Sequence, residues 1–188
     1  LDKSLYQSVL DESTNFDLLI ARLEPENSVE IIIKGVVNSN SKNLLIVVGN
    51  HQTQYGELLK NKYSDSRIKF VGAIYEKDVL DSLRQHSRFY FHGHTVGGTN
   101  PSLLEAMAAG SNIVAHGNEF NRAVLKEAAH YFKDVCDIVR VVDNADSLSG
   151  RFPEFKLLNE KRIKEVYNWE LISNSYLDVF QSVIKQCE

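Results

Sequence analysis

The residues best suited to chemistry lie between His92 and Gly110, in the run His-Gly-His-Thr-Val-Gly-Gly-Thr-Asn-Pro-Ser-Leu-Leu-Glu-Ala-Met-Ala-Ala-Gly. This run reads as the end of a strand, a glycine turn and a helix. Asn100 suits the N-cap and Pro101 the first helical position. Gly97 and Gly98 let the backbone pass close to a ligand, and the unpaired amides of a helix start attract anions. Glu105 is the one ionisable residue of a helix otherwise built from small and apolar side chains, and it reads as an inward carboxylate. An anion site beside a carboxylate suits a phosphorylated, hydroxyl-bearing ligand such as a nucleotide sugar.

His92 and His94 fall on one side of an extended strand. As a metal pair they lack a third ligand at useful spacing. The simpler reading has His92 packed structurally and His94 approaching the ligand as a hydrogen-bond donor. The alternative is a satisfied structural histidine at both positions.

Positioning these residues requires a sheet, and the rest of the chain supplies the pattern for one. Apolar runs at Phe16 to Ala21, Asn43 to Gly49, Arg67 to Gly72, Arg88 to Phe91, Asn112 to His116 and His130 to Phe132 read as strands. Continuous runs of this kind fit parallel strands buried on both faces. Between them lie helical patterns at Glu26 to Val37, Tyr55 to Tyr63, Glu76 to His86 and Glu119 to Ala129. In the first of these, Val29, Ile32, Ile33, Val36 and Val37 share one face. Two further helices, Glu154 to Asn168 and Trp169 to Lys185, close the chain, and Asp143 to Pro153 reads as irregular. Strands alternating with helices predict an α/β, Rossmann-like parallel sheet of about six strands with right-handed crossovers. Ligands on such sheets bind beyond the carboxyl ends of the strands, where the glycine-bearing turns fall.

At 188 residues and 43% hydrophobic content the chain fits one domain with a sizeable core, or one lobe of a larger enzyme. A net charge of -4 argues against a general nucleic-acid binder. Cys136 and Cys187 form no metal or disulfide pattern, so a reducing cytoplasm is the expected setting. No apolar run reaches membrane-spanning length and no signal peptide is evident. The first residue is Leu1 rather than Met, which reads as an excised piece lacking an N-terminal partner lobe.

The order of these pieces resembles the C-terminal, donor-binding lobe of the retaining family-4 glycosyltransferases, two-lobed and metal-independent enzymes of the GT-B type. Three matches carry the resemblance: Ala21-Arg22-Leu23-Glu24-Pro25-Glu26-Asn27 after the first strand, Phe70-Val71-Gly72 at the end of the third, and Ser102-Leu103-Leu104-Glu105-Ala106-Met107-Ala108-Ala109-Gly110. A closing Tyr167-Asn168-Trp169 is also similar to the family's C-terminal signature. The wording Gly93 to Ser102 resembles a bacterial subgroup that includes rhamnosyltransferases of capsule and O-antigen synthesis.

The resemblance implies that Glu105 accepts hydrogen bonds from the donor ribose and that Arg22 meets the diphosphate. These two are the expected catalytic residues. Gly97, Gly98, Thr99 and Asn100 would hold the phosphates, His94 would approach the donor, and the loop of Val71, Gly72, Ala73, Ile74 and Tyr75 would hold the nucleobase. Gly49 and Asn50 end the second strand and could line the same cleft. Asn121 and Arg122 face either the sugar or acceptor, or simply open an exposed helix. Tyr167 and Trp169 are expected to pack the closing helix.

No metal or cofactor is implied; the nucleoside-diphosphate sugar is substrate. The implied acceptor is a lipid-linked saccharide at the inner membrane face, bound through the other lobe with peripheral membrane contact, in cell-surface polysaccharide synthesis. Two departures stand out. The family places two glutamates seven residues apart; the second is Glu105, and the first position holds Gly97. Where many relatives carry a lysine for the diphosphate, this chain has Asn27. A nucleotide-sugar 2-epimerase of similar shape and a non-catalytic nucleotide-sugar-binding module are the rival readings.

Overall fold

The computed structural model describes residues 2–11 and 14–187, with side chains to 185. Six strands form one sheet: β1 (Phe16–Ile20), β2 (Leu44–Val48), β3 (Ile68–Gly72), β4 (Tyr90–His92), β5 (Ile113–His116) and β6 (His130–Phe132). Every recorded pairing is parallel and the order is β3-β2-β1-β4-β5-β6. The chain therefore reverses its direction of growth between β1 and β4, which opens a crevice at their carboxyl ends.

Alternation of side chains divides the core in two. Leu19 of β1 and Leu45 and Val47 of β2 join one cluster, and Leu18, Ile46 and Val48 join the other. The helices are α1 (Val29–Asn38), α2 (Gln54–Lys62), α3 (Lys77–His86), α4 (Pro101–Ala108), α5 (Glu119–Leu125), α6 (Val135–Asp143), α7 (Ala145–Ser149), α8 (Phe152–Glu165) and α9 (Trp169–Cys187). Ile32 and Val36 of α1 pack with Ile138 and Val142 of α6 in the first cluster. Leu83 of α3, Leu103 and Met107 of α4 and Val124 of α5 pack in the second, with Tyr6 of a short 3-10 turn, Lys3–Tyr6.

The expected strands and the sheet are present, and several helix boundaries differ. Pro25–Asn27 forms a 3-10 turn, and Ser28, with φ 51°, separates it from α1, so the helix begins three residues later than the apolar pattern suggests. Lys126, with φ 49°, ends α5 at Leu125 rather than Ala129. Asp143 to Pro153 is not irregular: α7 occupies its middle and α8 starts at Phe152, with Pro153 in its first turn. Helix α6 falls in a stretch given no element by sequence. Its N-cap Asp134 accepts from the Asp137 amide at 3.0 Å.

Trp169 does not pack the closing helix; it is 82% exposed, while Tyr167 is half-buried against the second cluster. Helix α9 exposes Tyr176, Leu177, Val179, Phe180, Val183 and Ile184. No helix among the described residues is long and apolar enough to cross a membrane. Cys136 is exposed, and the side chain of Cys187 lies outside the described residues.

Candidate functional site

Two turns leave the sheet at the crevice and are tied to each other. After β1, Arg22 leads into the Pro25–Asn27 turn; after β4, Gly93 leads into the glycine loop. Thr95 donates both its amide, at 2.9 Å, and its hydroxyl, at 2.8 Å, to the Glu26 carbonyl. Gly93 lies so close to this turn that a Cβ there would sit 2.1 Å from the Asn27 carbonyl oxygen, which only glycine avoids. Asn27 is buried and its side-chain amide donates to the Arg22 carbonyl at 2.8 Å. The residue standing in the place of a diphosphate-binding lysine is thus a buried strut of the Arg22 turn.

A cleft of about 340 Å³ opens at the carboxyl ends of β1, β2 and β3. Arg22, Gly49, Asn50, Ile74 and Tyr75 are among its lining residues, and among the described residues Arg22 is its only lysine or arginine. Gly49 donates its amide to the Gly72 carbonyl at 2.9 Å, which joins the ends of β2 and β3 beside the cleft, although Gly72 itself is not among the lining residues. Gly72 turns the chain there with φ 82°. Val71 departs from its expected place: it packs in the second core cluster and lines a different hollow. That hollow, of about 540 Å³, is larger but is walled by Leu44 and Ile68 at the amino ends of β2 and β3. Ligands of open parallel sheets bind at the opposite ends, so the smaller cleft is the candidate site.

His92 is buried and its ring stacks on that of His94, centroids 4.4 Å apart and planes 15° apart. Burial, with the neighbouring His94, pushes the His92 imidazole down to about 3, so it is neutral near pH 7. His94 is half-buried; burial and then the charge of Arg22 hold it below the usual histidine range, while Glu26 opposes them. The charge of Arg22 is thus felt at the crevice. Asn118 and Asn121 donate to the His94 carbonyl at 2.8 and 3.0 Å. Asn121 is buried in that role. Arg122, exposed on α5, donates to the Gly117 carbonyl at 3.0 Å and lies over the Tyr131 ring at 4.1 Å.

The mouth of α4 differs from the expectation in one chemical respect. Pro101 has no N–H, the Ser102 amide donates to Asn100 Oδ1 at 2.9 Å, and the Leu103 and Leu104 amides donate to the Asn100 carbonyl at 3.0 and 3.2 Å. Asn100 caps its own helix, and the first turn has no spare amide for an anion. The donors left at this end are the exposed amides of Gly97, Gly98 and Thr99 in the loop before it. Gly97 adopts φ 101° with open space around it. A glutamate at the first family position would therefore be strained by backbone conformation alone. Gly97→Ala is expected to lower stability by about 1–2 kcal/mol, seen as a reduced thermal midpoint.

Glu105 is not an inward carboxylate. Leu103, Ala106 and Met107 take the buried face of α4, which leaves the Glu105 side chain 48% exposed. It lines a groove of about 380 Å³ with Lys77, Leu104, Ile163 and Tyr167. Its Oε2 accepts from Arg84 Nη2 at 2.6 Å. Arg84 is buried, and sequence reasoning passed over it. Tyr75 lines the first cleft and Lys77 the Glu105 groove, so one short segment borders both.

Comparison with known proteins agrees with this architecture. The family described as Glycosyl transferases group 1 matches residues 2–165. An uncharacterized glycosyltransferase of Methanocaldococcus jannaschii is 30% identical, over 88% of this chain and 44% of that protein. Sucrose-phosphate synthase from Thermosynechococcus elongatus superposes with a TM-score of 0.80 at 16% identity, covering 99% of this chain and 51% of that one. Anabaena HepE, solved in complex with UDP and glucose, gives 0.82 at 14% identity, covering 96% of this chain and 52% of that one. The C-terminal domain of a group 1 glycosyl transferase, LpcC, from Francisella tularensis gives 0.71 at 16% identity, covering 89% of this chain and 93% of that one. The chain spans less than half the length of the curated relative, 44%. With a matching family over most of its length and the same six-stranded architecture, the chain belongs to the group 1 glycosyltransferases.

Proposed function

We propose that this chain is the nucleotide-sugar-binding lobe of a two-lobed, retaining glycosyltransferase. The donor is a uridine- or thymidine-diphosphate sugar, with rhamnose as the sugar favoured by the subgroup wording of the glycine loop. The acceptor is a lipid-linked saccharide, bound by a second lobe at the inner face of a bacterial membrane during cell-surface polysaccharide synthesis. The observation that carries the reading is the cleft at the carboxyl ends of β1, β2 and β3, with Arg22 as its cation and the exposed Gly97–Thr99 loop across the crevice. The complex of Anabaena HepE with UDP, a protein of the same fold, supports a nucleotide donor. The apolar side chains on the surface of α9 are of the kind a second lobe would cover.

In this mechanism the base lies against Gly49 and Ile74, and the pentose hydroxyls reach Glu105. Arg22 and the loop amides, rather than a metal ion, meet the diphosphate. As the bond to the sugar breaks, negative charge grows on the leaving phosphate, and fixed donors aimed at that charge lower the barrier. The departing phosphate takes the acceptor proton, so this lobe supplies no general base.

The test is thermal unfolding of the chain with added UDP or dTDP. A ligand at a hundred times its dissociation constant stabilises the folded state by about 2.7 kcal/mol. One of the two is expected to raise the midpoint at millimolar concentration, and Glu105→Ala to weaken that ligand by roughly 2–3 kcal/mol. No shift with either diphosphate would overturn the reading. A bound diphosphate without transfer or donor hydrolysis, once the second lobe is joined, would favour the non-catalytic module that Gly97 suggests.

A further inference from the structure

Arg84 presents a buried cation to an exposed acid. It is 2% exposed, in the last turn of α3. Nη1 donates to Asp81 Oδ1 at 2.9 Å and Nη2 to Glu105 Oε2 at 2.6 Å. Nη2 also lies 3.5 Å from Ser102 Oγ, which shares a 2.9 Å hydrogen bond with the buried Tyr90 hydroxyl. The backbone is pinned as well: the Arg84 carbonyl accepts from the Ser87 and Ser111 hydroxyls at 3.0 and 3.1 Å. Lys77 pairs with the far side of Asp81.

Burying a guanidinium is expensive, and an apolar side chain of like volume often serves a fold as well or better. The arrangement fixes the cation from both sides and spends one of its two ends on Glu105. A glutamate 48% exposed would otherwise sample several rotamers. Held by Oε2, it stays at the groove wall with Oε1 as the remaining acceptor. A short charge-assisted bond from a planar, fixed fork is well suited to such positioning.

We propose that Arg84 is a positioning residue for pentose recognition: it holds Glu105 in the single placement from which the carboxylate accepts the hydroxyls of the donor's pentose, 2′ and 3′ in a uridine nucleotide and 3′ alone in a thymidine one. The inference rests on the reading that Glu105 binds the pentose. Arg84 itself touches no ligand.

Calorimetric titration with UDP and 2′,3′-dideoxy-UDP, or with dTDP and 2′,3′-dideoxy-TDP where thymidine diphosphate is the one that binds, separates the two claims. The wild-type chain is expected to prefer the hydroxyl-bearing nucleotide over its dideoxy analogue by about 10–100-fold, as hydrogen bonds to a charged group imply. Arg84→Lys keeps the charge but cannot span Asp81 and Glu105 together. It is expected to hold the dideoxy nucleotide within roughly twofold of wild type while the preference shrinks below about threefold. Arg84→Gln, which loses the charge, is expected to behave alike and serves if the lysine variant does not fold. Asp81→Asn leaves the bond to Glu105 and is expected to keep the preference. A wild-type chain indifferent to the hydroxyls overturns the pentose reading and this inference with it. A selective wild type with equally selective Arg84 variants overturns the inference alone. Equal loss of both nucleotides in folded Arg84 variants assigns the residue to the fold and also overturns it.

Discussion

Arg88→Leu is expected to lower the unfolding free energy by about 3–5 kcal/mol at pH 7, because it strands a buried carboxylate. Asp17 of β1 is 1% exposed, and Arg88 grips both its oxygens, Nε to Oδ1 at 2.9 Å and Nη2 to Oδ2 at 2.6 Å. The guanidinium also lies over the Phe89 ring at 4.8 Å. Burial raises the Asp17 carboxyl above its ordinary range, and the hydrogen bond and charge of Arg88 oppose that rise. Removing the arginine leaves burial the dominant influence, so the folded-state value climbs further while the unfolded value stays near that of a free aspartate. The sign follows from linkage. Where the folded state holds the proton more tightly, stability falls as pH rises between the two values. The deficit of Arg88→Leu is therefore larger at neutral pH and shrinks as acidification protonates Asp17. Urea unfolding at pH 7 and pH 5 measures this. The double variant Asp17→Asn, Arg88→Leu should recover part of the loss, and an Arg88→Leu deficit equal at both pH values would contradict the account.

The sheet was legible because its strands are apolar runs closed by turns, and a parallel sheet covered on both faces needs such runs. Where the reading missed, a local conformation or a helical face was decisive. Ser28 and Lys126 adopt positive φ, which nothing in their residue types signals, and each moves a helix boundary. Helix α6 had a usable signal in Ile138, Val141 and Val142, three apolar residues at helical spacing after a capping aspartate. The orientation of Glu105 was also recoverable. Once Leu103, Ala106 and Met107 face inward, helical geometry puts residue 105 on the outer side, whatever the composition of its neighbours. Composition alone made it seem buried. Arg84 follows Leu83 on an amphipathic helix and carries no mark of burial in the sequence; only the packing of α3 beside α4 reveals it. The amides at the start of α4 teach the converse. The residues that announce a helix start, Asn100 and Pro101, are the ones that leave its first turn without free donors.

Under the proposed function, that last point shifts the electrostatic burden onto Arg22, whose replacement is expected to have the largest effect on transfer by the two-lobed protein. Among the described residues the candidate cleft holds no other lysine or arginine, and Asn27 is buried as a strut of the Arg22 turn. The loop amides of Gly97–Thr99 carry partial charges only. Arg22 is exposed, but its backbone is fixed by Asn27, so its starting point at the end of β1 is set before any ligand arrives. Charge-assisted bonds to phosphate are among the stronger polar contacts, and Arg can make them in pairs. For the chain itself, Arg22→Met should reduce UDP affinity by about 10–100-fold and leave uridine affinity unchanged, since the nucleoside offers no phosphate. Arg22→Lys should fall between, keeping the charge without the fork. The loss should diminish at high salt, where the wild-type contact is itself screened. In transfer the penalty is greater, on the order of 100–1000-fold in kcat, because the leaving phosphate is more negative in the transition state than in the bound donor. A variant that lost UDP and uridine equally would show Arg22 holding the cleft open rather than meeting the diphosphate. The anion would then have to be met by the loop amides and by groups outside this lobe.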